Sequence, residues 1–245
     1  MQASDAFLLA GGGLVAGVVN TLAGGGSLLT VPLLVLLGLP GPVANGTNRV
    51  GVLLGSAVAT WRLAAHGVSG VRDAAPLLVP SALGAVLGAY GVVQLPAELF
   101  NRVFGLLMLV LLVPTLRGAR LPVSPERTLH PALRALAFFA VGLYGGAFQA
   151  GVGVLLLSAL SLAGLDLVRS THIKTALNTG FTLVALPIFW LAGQILWPEA
   201  AALGLGFATG GALGAHAAVR GGERVIRPVL ACAVIGLAGR MLGVY

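Results

Sequence analysis

Charge is what this chain has least of. Only 9% of its 245 residues are Asp, Glu, Lys or Arg, against roughly a quarter in a soluble domain. With 58% hydrophobic residues and a mean hydropathy of +1.00, the polar fraction cannot cover the apolar surface in water. A soluble globular fold is excluded, and lipid is the solvent. The seven acidic residues all fall at the ends of apolar segments or in connectors, which speaks against a carboxylate proton relay or a Na⁺ or Ca²⁺ cage. Cys232 is the single cysteine, so neither an intrachain disulfide nor a cysteine metal cluster can form. His66, His130 and His216 have no metal-ligand spacing, and there is no P-loop for an ATP-driven step. The +7 charge is spread over short clusters, unlike the concentrated basic face of a nucleic-acid binder.

Two long stretches carry no charge and no histidine, from Asp5 to Arg49 and from Arg134 to Asp166. Each opens with a helix-length apolar run and breaks at small residues, Ala23-Gly24-Gly25-Gly26 or Ala150-Gly151-Val152-Gly153. Each ends at a polar cluster, Asn45-Gly46-Thr47-Asn48-Arg49 or Ser170-Thr171-His172-Ile173-Lys174. A spanning helix takes about 20 residues, so the first stretch is too long for one span and the second too short for two. Helices interrupted at corresponding points of two halves are the sequence pointer to a transporter's binding site.

The expected fold is all-α: a polytopic membrane protein of two inverted repeats, each with about five hydrophobic segments. The segments are 6–23, 26–38, 46–65, 74–93 and 97–116, then 131–150, 153–164, 168–192, 198–218 and 224–243. Residues 1–116 form the first repeat, 117–130 a polar cytoplasmic connector and 131–245 the second repeat. Gly38-Leu39-Pro40 falls on Gly164-Leu165-Asp166 at a shift of 126, and Ala23-Gly24 on Ala150-Gly151 at 127. One face collects Arg62, Arg72, Arg117, Arg120, Arg127, Arg134, Arg169, Lys174, Arg220, Arg224 and Arg227; the other has Arg49, Arg102 and Arg240. The excess of basic residues in cytoplasmic loops assigns the first face inside and both termini outside. The start Met1–Asp5 lacks a basic signal region, so the first run is expected to stay as a span.

Three motifs could carry chemistry. Asn20-Thr21-Leu22-Ala23-Gly24-Gly25-Gly26-Ser27 reads as an unwound segment, with Ser27 capping a short helix. Gly25 and Gly26 would offer N–H groups to an anion at the helix's positive end; close helix packing through glycine is the alternative. Asn45, Thr47 and Asn48 add hydrogen-bond donors, and Arg49 a fork suited to an oxyanion. Alternatively, Arg49 reaches toward a headgroup. In the second half the counterparts are Gln149, Gly151, Gly153, Thr171, His172, Lys174 and Asn178. Lys174 and Asn178 share a helix face, and His172 could carry a coupled proton. An ordinary interfacial histidine and a cytoplasmic lysine anchor are the competing readings.

The run Asn20-Thr21-Leu22-Ala23-Gly24-Gly25-Gly26-Ser27-Leu28-Leu29-Thr30-Val31-Pro32, with Gly38-Leu39-Pro40 and Ala44-Asn45-Gly46-Thr47-Asn48-Arg49, resembles the TauE/SafE family of sulfite exporters. Gly145-Gly146, Ala150-Gly151-Val152-Gly153 and Gly164-Leu165-Asp166 resemble its second repeat, although Gly151-Val152-Gly153 departs from the usual Gly-x-Gly-Gly. The resemblance implies a bacterial inner-membrane permease for sulfite or organosulfonates, with a small anion and the bilayer as its partners and no cofactor. The expected mechanism is alternating access, the anion lying between the two broken-helix half-sites. A passive channel, a membrane assembly subunit and an intramembrane enzyme are the alternatives.

Overall fold

The computed structural model describes residues 2–117, 130–161 and 167–220. Within them the chain forms α1 (Ala3–Leu22), α2 (Ser27–Leu36), α3 (Gly41–Ala65), α4 (Val71–Val92), α5 (Ala97–Arg117), α6 (Pro131–Ala147), α7 (Val152–Ser161), α8 (Leu167–Leu191) and α9 (Trp197–Val219). No strand occurs among the described residues. Most of the expected connector (118–129), the tenth segment (224–243) with Cys232, and Gly164-Leu165-Asp166 lie outside them.

Small residues set which helices touch, because only they let two backbones approach closely. Gly13 faces Leu203, Gly206 and Phe207, and Gly17 faces Phe207, Gly210 and Gly211, so α1 and α9 run parallel. Gly51 meets Leu203 and Phe207, and Gly55 meets Gly211, so α3 runs the same way. Ser81 meets Gly142 and Ala85 meets Gly146; Gly70 meets Ile173 and Leu78 meets Gly180. Helices α4, α6 and α8 are therefore parallel to one another. They oppose the first three, since α3 places Gly46 against Phe189 but Ser56 against Asn178. Thus α1 and α6, α3 and α8, and α4 and α9 run in opposite directions.

These directions also fix the short helices. With α1 and α3 parallel, α2 must turn back: Gly26 lies beside Ala16 and Asn20, and Leu33 beside Gly12. The chain through α7 makes the corresponding return between α6 and α8. Arg62, Arg72, Arg134, Arg169 and Arg220 gather where α3 and α9 end and α4, α6 and α8 begin.

Helices α1, α4 and α9 are each long and apolar enough to cross a membrane. Side chains that would be costly in water, including Phe7, Leu83, Leu106, Leu183 and Leu205, point outward. Trp61 is exposed near one end; Trp190 and Trp197 meet edge-on, 6.1 Å apart, at the other. Such an apolar belt rimmed by aromatics is the surface of a membrane protein.

Candidate functional site

The first break, Ala23–Gly26, separates α1 from α2. Gly24 turns the chain at φ +80°, a conformation that side chains resist, and its backbone touches that of Gly153 in the second break. The two interruptions therefore meet. Leu28 donates to Gly25 O and Leu29 to Gly26 O, so the N–H groups of Gly25, Gly26 and Ser27 precede the helical ladder of α2. Ser27 does not cap the helix as expected. It is the first helical residue, and its hydroxyl accepts from Asn48 Nδ2 at 2.9 Å. Asn48 Oδ1 in turn accepts from the Thr30 hydroxyl at 2.5 Å, which ties α3 to α2 by two hydrogen bonds.

The polar cluster expected to lead into the third segment lies wholly inside α3, which begins at Gly41. Arg49 is completely buried. Its Nη1 donates to Gly145 O at 3.2 Å and Gln149 Oε1 at 2.9 Å, and its Nη2 donates to the carbonyls of Gly146 and Ala147. Asn45 Nδ2 also donates to Ala147 O, at 2.8 Å. The last carbonyls of a helix have no intrahelical partner and carry its negative dipole end. Arg49 and Asn45 close that end of α6, and the Phe189 ring lies 4.0 Å below the guanidinium.

Lys174 performs the reciprocal task. It is 2% exposed, and its Nζ donates to Asn20 O at 3.1 Å and to Thr21 O, at the end of α1. A buried cation of α3 thus reaches the broken end of α6, and one of α8 reaches the broken end of α1.

The second break turns at Gln149, which adopts φ +60°, and at Gly151, with φ +65°. A non-glycine residue in this left-handed region costs about 1–2 kcal/mol. The Gln149 side chain supplies the compensation. Besides accepting from Arg49, its Nε2 donates to Asn178 Oδ1 at 3.2 Å and Thr182 Oγ1 at 2.7 Å. Asn178 Nδ2 continues the chain to Ser56 Oγ at 2.8 Å, and the Tyr144 hydroxyl pins Ala150 O at 2.6 Å.

The structure therefore gathers Asn20, Thr21, Gly25, Gly26, Ser27, Asn45, Asn48, Arg49, Gln149, Gly151, Gly153, Lys174 and Asn178 around the paired breaks. It brings in Thr30, Ser56, Tyr144 and Thr182, which sequence reasoning missed. A polar residue one turn from another in an apolar helix, as Thr182 is from Asn178, was the available signal. Thr47 lies elsewhere: its hydroxyl accepts the Leu196 N–H, ahead of α9. Thr171 is buried in α8, and His172 faces the turn before α4. No Asp or Glu is buried among the described residues, so the charges held inside are basic.

A family model described as Sulfite exporter TauE/SafE matches residues 9–241. The chain belongs to the TauE/SafE sulfite exporter family. It is a membrane transporter, not an enzyme. The transporter is 30% identical to a probable membrane transporter protein, ORF9, of Sinorhizobium, over 93% of this chain and 88% of that one. It is 27% identical to a probable membrane transporter protein of Haemophilus influenzae, over 94% and 91% of the two chains. A further relative, the probable membrane transporter protein YfcA of Escherichia coli K12, is 26% identical over 94% and 86%. No solved structure matches the transporter.

Proposed function

We propose that this transporter moves small sulfur oxyanions, sulfite or organosulfonates, across a bacterial inner membrane by alternating access. The observation that carries the reading is the sign of the buried charge. Arg49 and Lys174 lie inside the helices with no buried carboxylate among the described residues, beside two short helices whose N-termini start at the breaks. Such N-termini favour anions, and the interior potential would repel a cationic substrate. Sulfur oxyanions offer several acceptor oxygens to the N–H groups of Gly25, Gly26 and Ser27 and of Gly151 and Gly153.

In the arrangement described, Arg49 and Lys174 hold carbonyls. Substrate oxygens can take the place of those carbonyls only if the ends of α6 and α1 move. Exchange of helix-end carbonyls for substrate would couple binding to a change in which break is open. The end rich in arginine faces the cytoplasm in this reading.

Counterflow in proteoliposomes tests the proposal. Vesicles preloaded with unlabelled sulfite should take up labelled sulfite faster than empty ones, with saturation, while chloride preloading has no effect. Uptake that ignores preloading identifies a pore, and absence of counterflow with sulfite, thiosulfate and taurine refutes the substrate class.

A further inference from the structure

At the arginine-rich end, a cleft of about 450 Å³ opens between the end of α3, the start of α4 and the first turns of α8. It is separate from the paired breaks. Its walls include Ser69, Gly70, Arg72, Asp73, Arg169 and His172.

His172 is 2% exposed, and neither ring nitrogen makes a hydrogen bond. The Val68 backbone interacts with the ring without reaching hydrogen-bond geometry. A buried polar group left without a partner is destabilising, so a ligand that bonds to it recovers that cost. The ring stands against the α4 N-terminus, since a methyl placed on Gly70 would lie 3.3 Å from His172 Nδ1.

That N-terminus is open. The first helical bonds are those of Asp73 and Ala74 to Gly70 O, so the N–H groups of Val71 and Arg72 stand outside the ladder, with no side-chain cap. Asp73 does not neutralise the cleft: it accepts from Arg169 Nε at 3.0 Å and Nη2 at 2.8 Å. Arg72 lines the same cleft and forms no ion pair among the described residues.

We infer that this cleft is a second anion site, which takes a small oxyanion between His172, the Arg72 guanidinium and the α4 N-terminus. A neutral imidazole donates one N–H to an oxyanion, the guanidinium adds a fork, and the helix end adds its dipole and free N–H groups. The chemistry fits a free oxyanion in solution or the phosphate of a lipid headgroup. The site does not depend on the substrate proposed for the breaks.

The test uses the full chain in lipid-free detergent with ¹⁵N-labelled histidine, which gives ring signals from four residues. The His172 signal is assigned by its loss in His172→Gln. Titrating inorganic phosphate or sulfite should move that signal saturably, while chloride at equal ionic strength leaves it in place. Arg72→Gln, a change at an exposed side chain, should weaken the response about tenfold, the loss of one charge-assisted contact. Gly70→Ala should crowd the ring and weaken the response, and Arg49→Lys should leave it intact. Movement only with phosphatidylglycerol would identify the headgroup as the oxyanion. A His172 signal unmoved by either source, or equally responsive in Arg72→Gln, would overturn the proposal.

Discussion

Arg49→Gln is the most telling perturbation. The wild-type guanidinium donates four hydrogen bonds, to Gly145 O, Gly146 O, Ala147 O and Gln149 Oε1. Ala147 O keeps its bond from Asn45 Nδ2, so three acceptors lose the donor shown here. At about 1–3 kcal/mol for each stranded acceptor the gross loss is about 3–9 kcal/mol. Removing a buried charge relieves part of its desolvation, which brings the net cost to about 3–5 kcal/mol, the range for breaking a buried charged contact. For a chain of this size that lowers Tm by about 6–20 °C. Arg49→Lys keeps the charge but concentrates it on one nitrogen that cannot span all four acceptors, so it should recover about half of the loss. Thermal unfolding of the purified protein in one detergent, followed by tryptophan fluorescence, measures both. A Tm within about 2 °C of wild type for Arg49→Gln would refute the idea that this cation holds the broken end of α6.

Gly24→Ala forces a methyl into the Gly153 backbone, whereas Gly67→Ala, at φ +77°, meets nothing within 4 Å. The first should cost about 3 kcal/mol or more, and the second about 1 kcal/mol; size-exclusion profiles and Tm separate them. Gln149→Gly and Gln149→Ala lose the same three side-chain bonds, but only glycine relieves the left-handed backbone. Gly should therefore be the more stable variant by about 1 kcal/mol, and the opposite order would show that φ at 149 is not strained. Asp73→Asn removes a half-exposed ion pair to Arg169, so its Tm should fall by no more than about 3 °C and depend on salt.

Membrane residence was legible from composition, because a chain with so few charges has only lipid to face. The helix breaks were legible too, at Ala23–Gly26 and near Gly151, since glycine runs in an apolar helix mark where the backbone leaves the ladder. Boundaries shifted where tertiary packing competed with local signals. The sequence suggested a third segment starting at 46, yet α3 begins at Gly41. The cluster Asn45–Arg49 reads as a polar lead-in, but it bonds to α2, α6 and Gln149 from within the helix. Ser27 reads as a cap by local pattern, and it lost that role to its contact with Asn48.

The sequence by itself determined that the protein is helical and lipid-embedded, that it is interrupted at two glycine-rich points, and that it is poor in acid. Those properties follow from residue chemistry and from contacts a few positions apart. Only the tertiary structure decided what the buried cations hold. Arg49 reaches carbonyls 96 to 98 residues away, and Lys174 reaches carbonyls 154 and 153 residues away. It also decided that α2 turns back beside α1, because a short apolar helix satisfies its own hydrogen bonds in either direction. Packing of Gly13 and Gly17 on α9, and of Gly51 and Gly55 on the same helix, selects one.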